Sequence, residues 1–170
     1  AFIKQYAQAG LQGKIPLYSV FTVDSIALPK LQGAGMKGVL GSTMTQFWAP
    51  DLDTPQNKKF VSGFKKKYGR YPSFYAAQSY DTIFLIKSAV DAVGGDLTNM
   101  DGMRAAMASA TFPSVRGEFA YGNNHFPIQD FYLRQVVADA NGNWTTKISQ
   151  KVYSDHQDVY HSKCKMKKTW

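Results

Sequence analysis

Three short stretches carry the residues best suited to hold a small molecule. "FTVDS" (21–25) and "QFWAP" (46–50) each follow an apolar, strand-like run, and both mix aromatics with polar neighbours. Such a mixture lets a pocket bury an apolar ligand body while hydrogen bonds fix its orientation. The ligand-facing candidates there are Phe21, Thr22, Asp24, Phe47 and Trp48. "PSFYAAQSY" (72–80) starts a helix, and the free N–H groups and positive dipole end of a helix start favour an anion such as a carboxylate. Tyr75 and Gln78 lie three positions apart on one face near that end. The alternative is structural: the aromatics pack under their own loops, and the 75–78 turn is a capped surface. Catalysis has less support. The chain has no G-x-S-x-G or H-E-x-x-H motif, and "GAGMKG" (33–38) follows a helix rather than a strand, the wrong order for a dinucleotide fingerprint. His125, in "GNNHFP", sits among turn formers. A non-enzymatic protein without a cofactor is expected.

The elements that must position these stretches are legible in outline. "AFIKQYAQAGLQG" spaces Phe2, Ile3, Tyr6 and Ala9 as a helix of about ten residues that opens the chain without a cap. Strands are expected at 15–19 and 38–45, with a short helix carrying Pro29 between them. Helix and strand alternating with short connections imply a parallel sheet covered by helices. In "DLDTPQNKKFVSGFKKKYG", Asp53 or Thr54 can cap, Pro55 suits the first turn, and Phe60, Val61 and Phe64 form the buried stripe, with Gly69 as the stop. Ser73 caps the next and strongest helix, whose stripe runs through Ala76, Tyr80, Ile83, Ile86, Val90 and Val93 to Gly94. A further helix follows over "TNMDGMRAAMASATF", with Met100, Met103 and Met107 expected in the core. From about residue 128 the pattern alternates, and Asn141-Gly142 marks a β-hairpin. The last stretch, 153–170, lacks a period and reads as a tail.

Composition narrows the partners. With 170 residues, 44% of them hydrophobic and 19% charged, the chain can bury a core. Its net charge of +8 admits an anionic partner, yet the basic residues are scattered except for Lys65–Lys67 and Lys163, Lys165, Lys167 and Lys168. Those runs suit solvated helix faces, so a nucleic-acid partner is not expected. Cys164 is the single cysteine, and His125, His156 and His161 are too scattered for a zinc site. No run approaches the roughly 20 apolar residues of a membrane span. The opening at Ala1, already inside an amphipathic pattern, is what a processed protein or an excised fragment would show.

In order along about residues 1–150 stand "GMKGV" (35–39), "DTPQNKKFVSGFKKKYG" (53–69), "PSFYA" before "YD" (72–81), and the late turn "GEFAYGNN" (117–124). Together they resemble the C-terminal half of a type I periplasmic solute-binding protein of the branched-chain amino acid ABC transporter kind, a group that includes relatives taking aromatic carboxylates. The resemblance implies an α/β fold of three-layer, Rossmann-like lobes, incomplete in this chain, with a ligand clamped between lobes joined by crossovers. It places residues 1–50 in the second lobe, 51–72 as a helix and crossover, 73–127 in the first lobe, 128–152 as the crossover back with its hairpin, and 153–170 as a tail. It implies a periplasmic or membrane-associated extracytoplasmic protein that delivers a small carboxylate-bearing solute, a branched-chain amino acid or an aromatic acid, to a membrane permease. A ligand-sensing domain of a receptor or regulator is the alternative. Where amino-acid binders carry an acidic residue for the ammonium group, this chain has about Phe21 or Thr22, which favours an apolar or aromatic acid unless Asp24 takes that place. With the other half of each lobe missing, apolar groups such as Ile83, Phe84 and Ile86 are expected to be exposed and to promote self-association, measurable by light scattering.

Overall fold

The structure is a computed structural model and describes residues 1–118 and 120–166. Phe119 of the "GEFAYGNN" turn and the terminal Lys167 and Lys168 lie outside the described residues. Among the described residues, five α-helices and five strands follow one another as α1 (Phe2–Gln8), β1 (Tyr18–Ser19), α2 (Leu28–Gly33), β2 (Thr43–Gln46), α3 (Pro55–Tyr68), α4 (Phe74–Ala92), α5 (Met100–Ser109), β3 (Ala120–Tyr121), β4 (Pro127–Ala138) and β5 (Trp144–His156).

Local chemistry explains the helix starts. The Thr54 hydroxyl accepts the Asn57 amide, Pro55 occupies the first turn, and α3 ends at Gly69 with φ 66°, a conformation that costs glycine little. Its lysines line the wet side, and Lys65 lies 4.0 Å over the Tyr71 ring. Ser73 caps α4 by accepting the Ala76 amide, and Asn99 caps α5 by accepting the Gly102 amide.

The sheet is mixed, and only β1 and β2 run parallel among the described strands. β4 lies between β2 and β5 and is antiparallel to both, so the hairpin predicted at Asn141-Gly142 joins the sheet and makes it mixed rather than the parallel sheet expected from the alternation of helix and strand. Asp139 builds its turn by accepting the amides of Asn141 and Asn143, and Gly142 takes φ 79°. The predicted strand at 15–19 contracts to Tyr18–Ser19, and the one at 38–45 starts only at Thr43, because Lys37–Val39 wind into a 3-10 turn between Gly35 and Gly41, both at positive φ. β5 runs on to His156, into the stretch read as a tail.

Two hydrophobic clusters form the core. One gathers Ile3, Val23, Leu28, Val39, Met44 and Val136. The other gathers Trp48, Leu52, Phe60, Val61, Phe74, Ala77, Val115 and Tyr132. β4 supplies a residue to each. The buried side of α4 carries Phe74, Ala77, Asp81 and Ala89 rather than the predicted stripe, and Ile83 (65% exposed) and Ile86 (44%) face outward. A helix apolar around most of its circumference has more than one face that can be buried, and here only one is covered. The methionines of α5 also depart from expectation: none is buried, and Met100 is exposed.

Asp130 ties the hairpin together. It pairs with Lys151 and accepts the Tyr132 hydroxyl and the Asp155 amide, each at 3.1 Å. Burial pushes this carboxyl up, but the Lys151, Asp155 and Tyr132 hydrogen bonds outweigh it and hold the group below the usual carboxylate range. A depressed folded-state value stabilises the fold above the unfolded value of about 4, and that stability is lost as the pH falls below it. Urea midpoints between about pH 5 and 2 should therefore decline more steeply for the native chain than for Asp130→Asn. Parallel curves would refute the assignment.

Candidate functional site

The aromatic candidates meet on one side chain that the sequence reading passed over. Phe74, in the first turn of α4, is 4% exposed, and its ring lies 5.2 Å from Phe21, 6.2 Å from Phe47 and 3.9 Å from Tyr75, centroid to centroid. The loop after β1 thus brings Phe21, and the end of β2 brings Phe47, onto the start of α4. Phe47 stands edge-on to Phe74, an arrangement suited to the positive edge and negative face of aromatic rings. Phe21 and Tyr75 are more than half exposed, so the group forms an open aromatic shelf over a buried base.

Beside the shelf is a buried polar network. Asp81, one turn beyond Ala77 on α4, accepts the Ser114 hydroxyl at 2.6 Å, the Val115 amide at 2.9 Å and Arg116 Nε at 3.0 Å. Arg116 also donates to Gln129 Oε1 and stands 5.7 Å over the Phe47 ring. Its charge is thereby held against the shelf's edge. Gln78 lines a neighbouring cavity of about 390 Å³ together with Asp81, Thr82, Arg116 and Tyr121. A larger cavity, about 760 Å³, lies elsewhere, between the α3 start and residues 110–118, and no shelf aromatic lines it.

The remaining candidates separate. Trp48 is fully buried and donates its indole N–H to Asn57 Oδ1 at 2.8 Å, which leaves it no surface for a solute. Asp24 is 7% exposed, and its carboxylate accepts the amides of Ile26 and Ala27 to build the turn into α2. Thr22 is exposed on the same loop as Phe21. Besides Phe74, sequence reasoning missed Arg116, Asp81 and Arg134. Phe74 adjoins Tyr75 at the helix start and carried a signal; the partners of Asp81 lie more than 30 positions away and carried none. Arg134, 2% exposed in the middle of β4, is pushed down to about 10 by burial, with Asp24 and Asp51 pulling it back up. Among the described residues no three histidine, cysteine or acidic side chains gather into a metal site.

A mixed α/β sheet covered by helices, with two hydrophobic clusters, is the architecture of the type I periplasmic binding proteins. The chain belongs to the periplasmic binding protein family, whose model matches residues 1–143. It is 33% identical to the R. palustris ABC-transporter solute-binding protein whose crystal structure holds benzoate, with a TM-score of 0.78 over 93% of this chain and 41% of that one. A solute-binding protein from Rhodopseudomonas palustris BisB5, in complex with 3,4-dihydroxybenzoic acid, is 27% identical, with a TM-score of 0.79 over 93% and 42% of the two chains. The Leu/Ile/Val-binding protein homolog 6 of Brucella abortus is 29% identical over 153 residues, 86% of this chain and 37% of that protein. The chain therefore spans about two fifths of the length of these relatives. They are solute-binding proteins rather than enzymes, and the family implies an extracytoplasmic location. No helix among the described residues is long and apolar enough to cross a membrane.

Proposed function

We propose that this chain forms part of the solute-binding component of a periplasmic ABC transporter and grips a small aromatic carboxylate for delivery to a membrane permease. One observation carries the reading. Phe21 lies two residues before Val23 of the cluster around Met44, Phe47 and Phe74 pack in the cluster around Trp48, and the Phe21 ring meets Phe74 across the boundary. The two clusters are taken as parts of the two lobes. A flat aromatic solute laid on that shelf contacts both at once, so its binding energy favours the closed arrangement over an open one. An amino acid has less to hold it, because Asp24, the acidic residue on the Phe21 loop, is committed to its own turn. The benzoate and dihydroxybenzoate found in the two R. palustris structures agree with an aromatic acid.

Calorimetry of the intact protein should show binding of benzoate or 4-hydroxybenzoate in preference to leucine. Phe21→Ala should weaken the aromatic acid about 10-fold, the value of one ring contact, without loss of fold, since Phe21 is 59% exposed. Leucine binding more tightly than either acid, or unchanged affinity in Phe21→Ala, would overturn the reading.

A further inference from the structure

From an unpaired guanidinium edge at the boundary between the two clusters, we infer that Arg134, assisted by Gln46, forms the site that receives the solute's carboxylate. The inference rests on the solute-binding reading above and adds the group that recognises the acid. Arg134 Nη1 donates to Thr146 Oγ1 at 3.2 Å, while Nε and Nη2 have no partner among the described residues. Those two atoms share the side edge of the guanidinium, where parallel N–H bonds accept a carboxylate in a two-point fork. Gln46 Nε2 is also unpaired, because Oε1 alone is engaged, by the Phe47 amide. Both residues are almost wholly enclosed, Arg134 at 2% and Gln46 at 3% exposure.

The sheet register brings these donors together. Met44 pairs with Arg134 and Gln46 with Tyr132, so Gln46 and Arg134 stand diagonally on one face, within about 8 Å at Cβ and within reach for long side chains. On the same strand, Tyr132 packs into one cluster and Val136 into the other, leaving Arg134 between them. Gln46 directly precedes Phe47 of the shelf. Nearly every buried polar group in a native protein has a partner, and three enclosed donor atoms without one call for an acceptor. The neighbouring acids do not fill that role: Asp24 is held by its own turn, and Asp51 accepts the Ile148 amide through both oxygens. A carboxylate has the charge and the two oxygens that match the fork.

The test compares benzoate, its neutral isostere benzamide, and acetate as a bare carboxylate, on the intact protein and on Arg134→Met and Arg134→Lys. Affinity is read by calorimetry, and the Arg134 Nε–H resonance by NMR. The native protein should prefer benzoate to benzamide at least about 10-fold, and benzoate should shift the Nε–H resonance. Arg134→Met should remove that preference and weaken benzoate about 100-fold, while Arg134→Lys, with charge but no fork, should fall between. Arg134→Met should still melt cooperatively, because an apolar side chain of similar length fills the place of the guanidinium. Unchanged benzoate preference in folded Arg134→Met, or an Nε–H resonance that no carboxylate moves, would overturn the site even if aromatic acids bind. Acetate moving the resonance while no aromatic acid binds would keep the site and defeat the aromatic reading alone.

Discussion

Asp81→Ala is expected to destabilise the fold by about 3–5 kcal/mol, the cost of breaking a buried ion pair from one side. Asp81 is 2% exposed and satisfies three donors at once, and its removal takes the carboxylate from beside the Arg116 guanidinium and the acceptor from the Ser114 and Val115 donors in an enclosed place. The Arg116 side chain is itself only 8% exposed, so water cannot readily take over. Urea denaturation of the single variant, and of the double variant with Arg116→Met, separates the causes. The double variant should recover part of the loss, because the cation goes with the carboxylate that balanced it. A single variant within about 1 kcal/mol of the native chain would show that the network does not hold α4 to the 114–117 segment.

Asn57→Asp should cost about 4 kcal/mol at neutral pH although it changes one atom, since each unmade buried hydrogen bond costs about 1–3 kcal/mol. The Asn57 amide nitrogen donates to the carbonyls of Ala49, Pro50 and Leu52, and its oxygen accepts the Trp48 indole. A carboxylate would turn an oxygen toward three carbonyl oxygens in a fully buried place. Burial among acceptors favours its protonated form, raising the folded value above the unfolded one. The deficit should then be smallest below about pH 4 and grow as the pH rises. A deficit independent of pH would rule out a buried carboxylate at this position.

Much of this molecule could be read from local signals, and the exceptions have a common cause. Thr54, Pro55 and Gly69 bound α3, Ser73 starts α4 and Asn141-Gly142 turns the hairpin through interactions spanning five residues or fewer. The sequence motifs pointed to the family because they lie in order along most of the chain. The direction of the sheet was misread because β4 pairs with β2 across more than 80 positions, and no local pattern states which strand lies beside which. Separation along the chain, shorter but still beyond any local pattern, also hid the partners of Asp81, more than 30 positions away. The candidate site was half visible: Phe21, Phe47 and Tyr75 were marked by aromatic type beside strand ends and a helix start, whereas Phe74, which joins them, was not distinguished from its neighbours. Trp48 had the same type and position as Phe47, yet it is fully buried and tied to Asn57, nine positions on.

The placement of Tyr132 and Val136 on one strand has a thermodynamic consequence. Four residues of β-strand, about 13 Å, separate the anchor of one cluster from the anchor of the other. Neither cluster can lose its packing while β4 keeps its full ladder to β2 and β5, so melting should be one cooperative event rather than two. The backbone amides of residues 132–136 should accordingly exchange with solvent only through global opening and be the slowest in the chain.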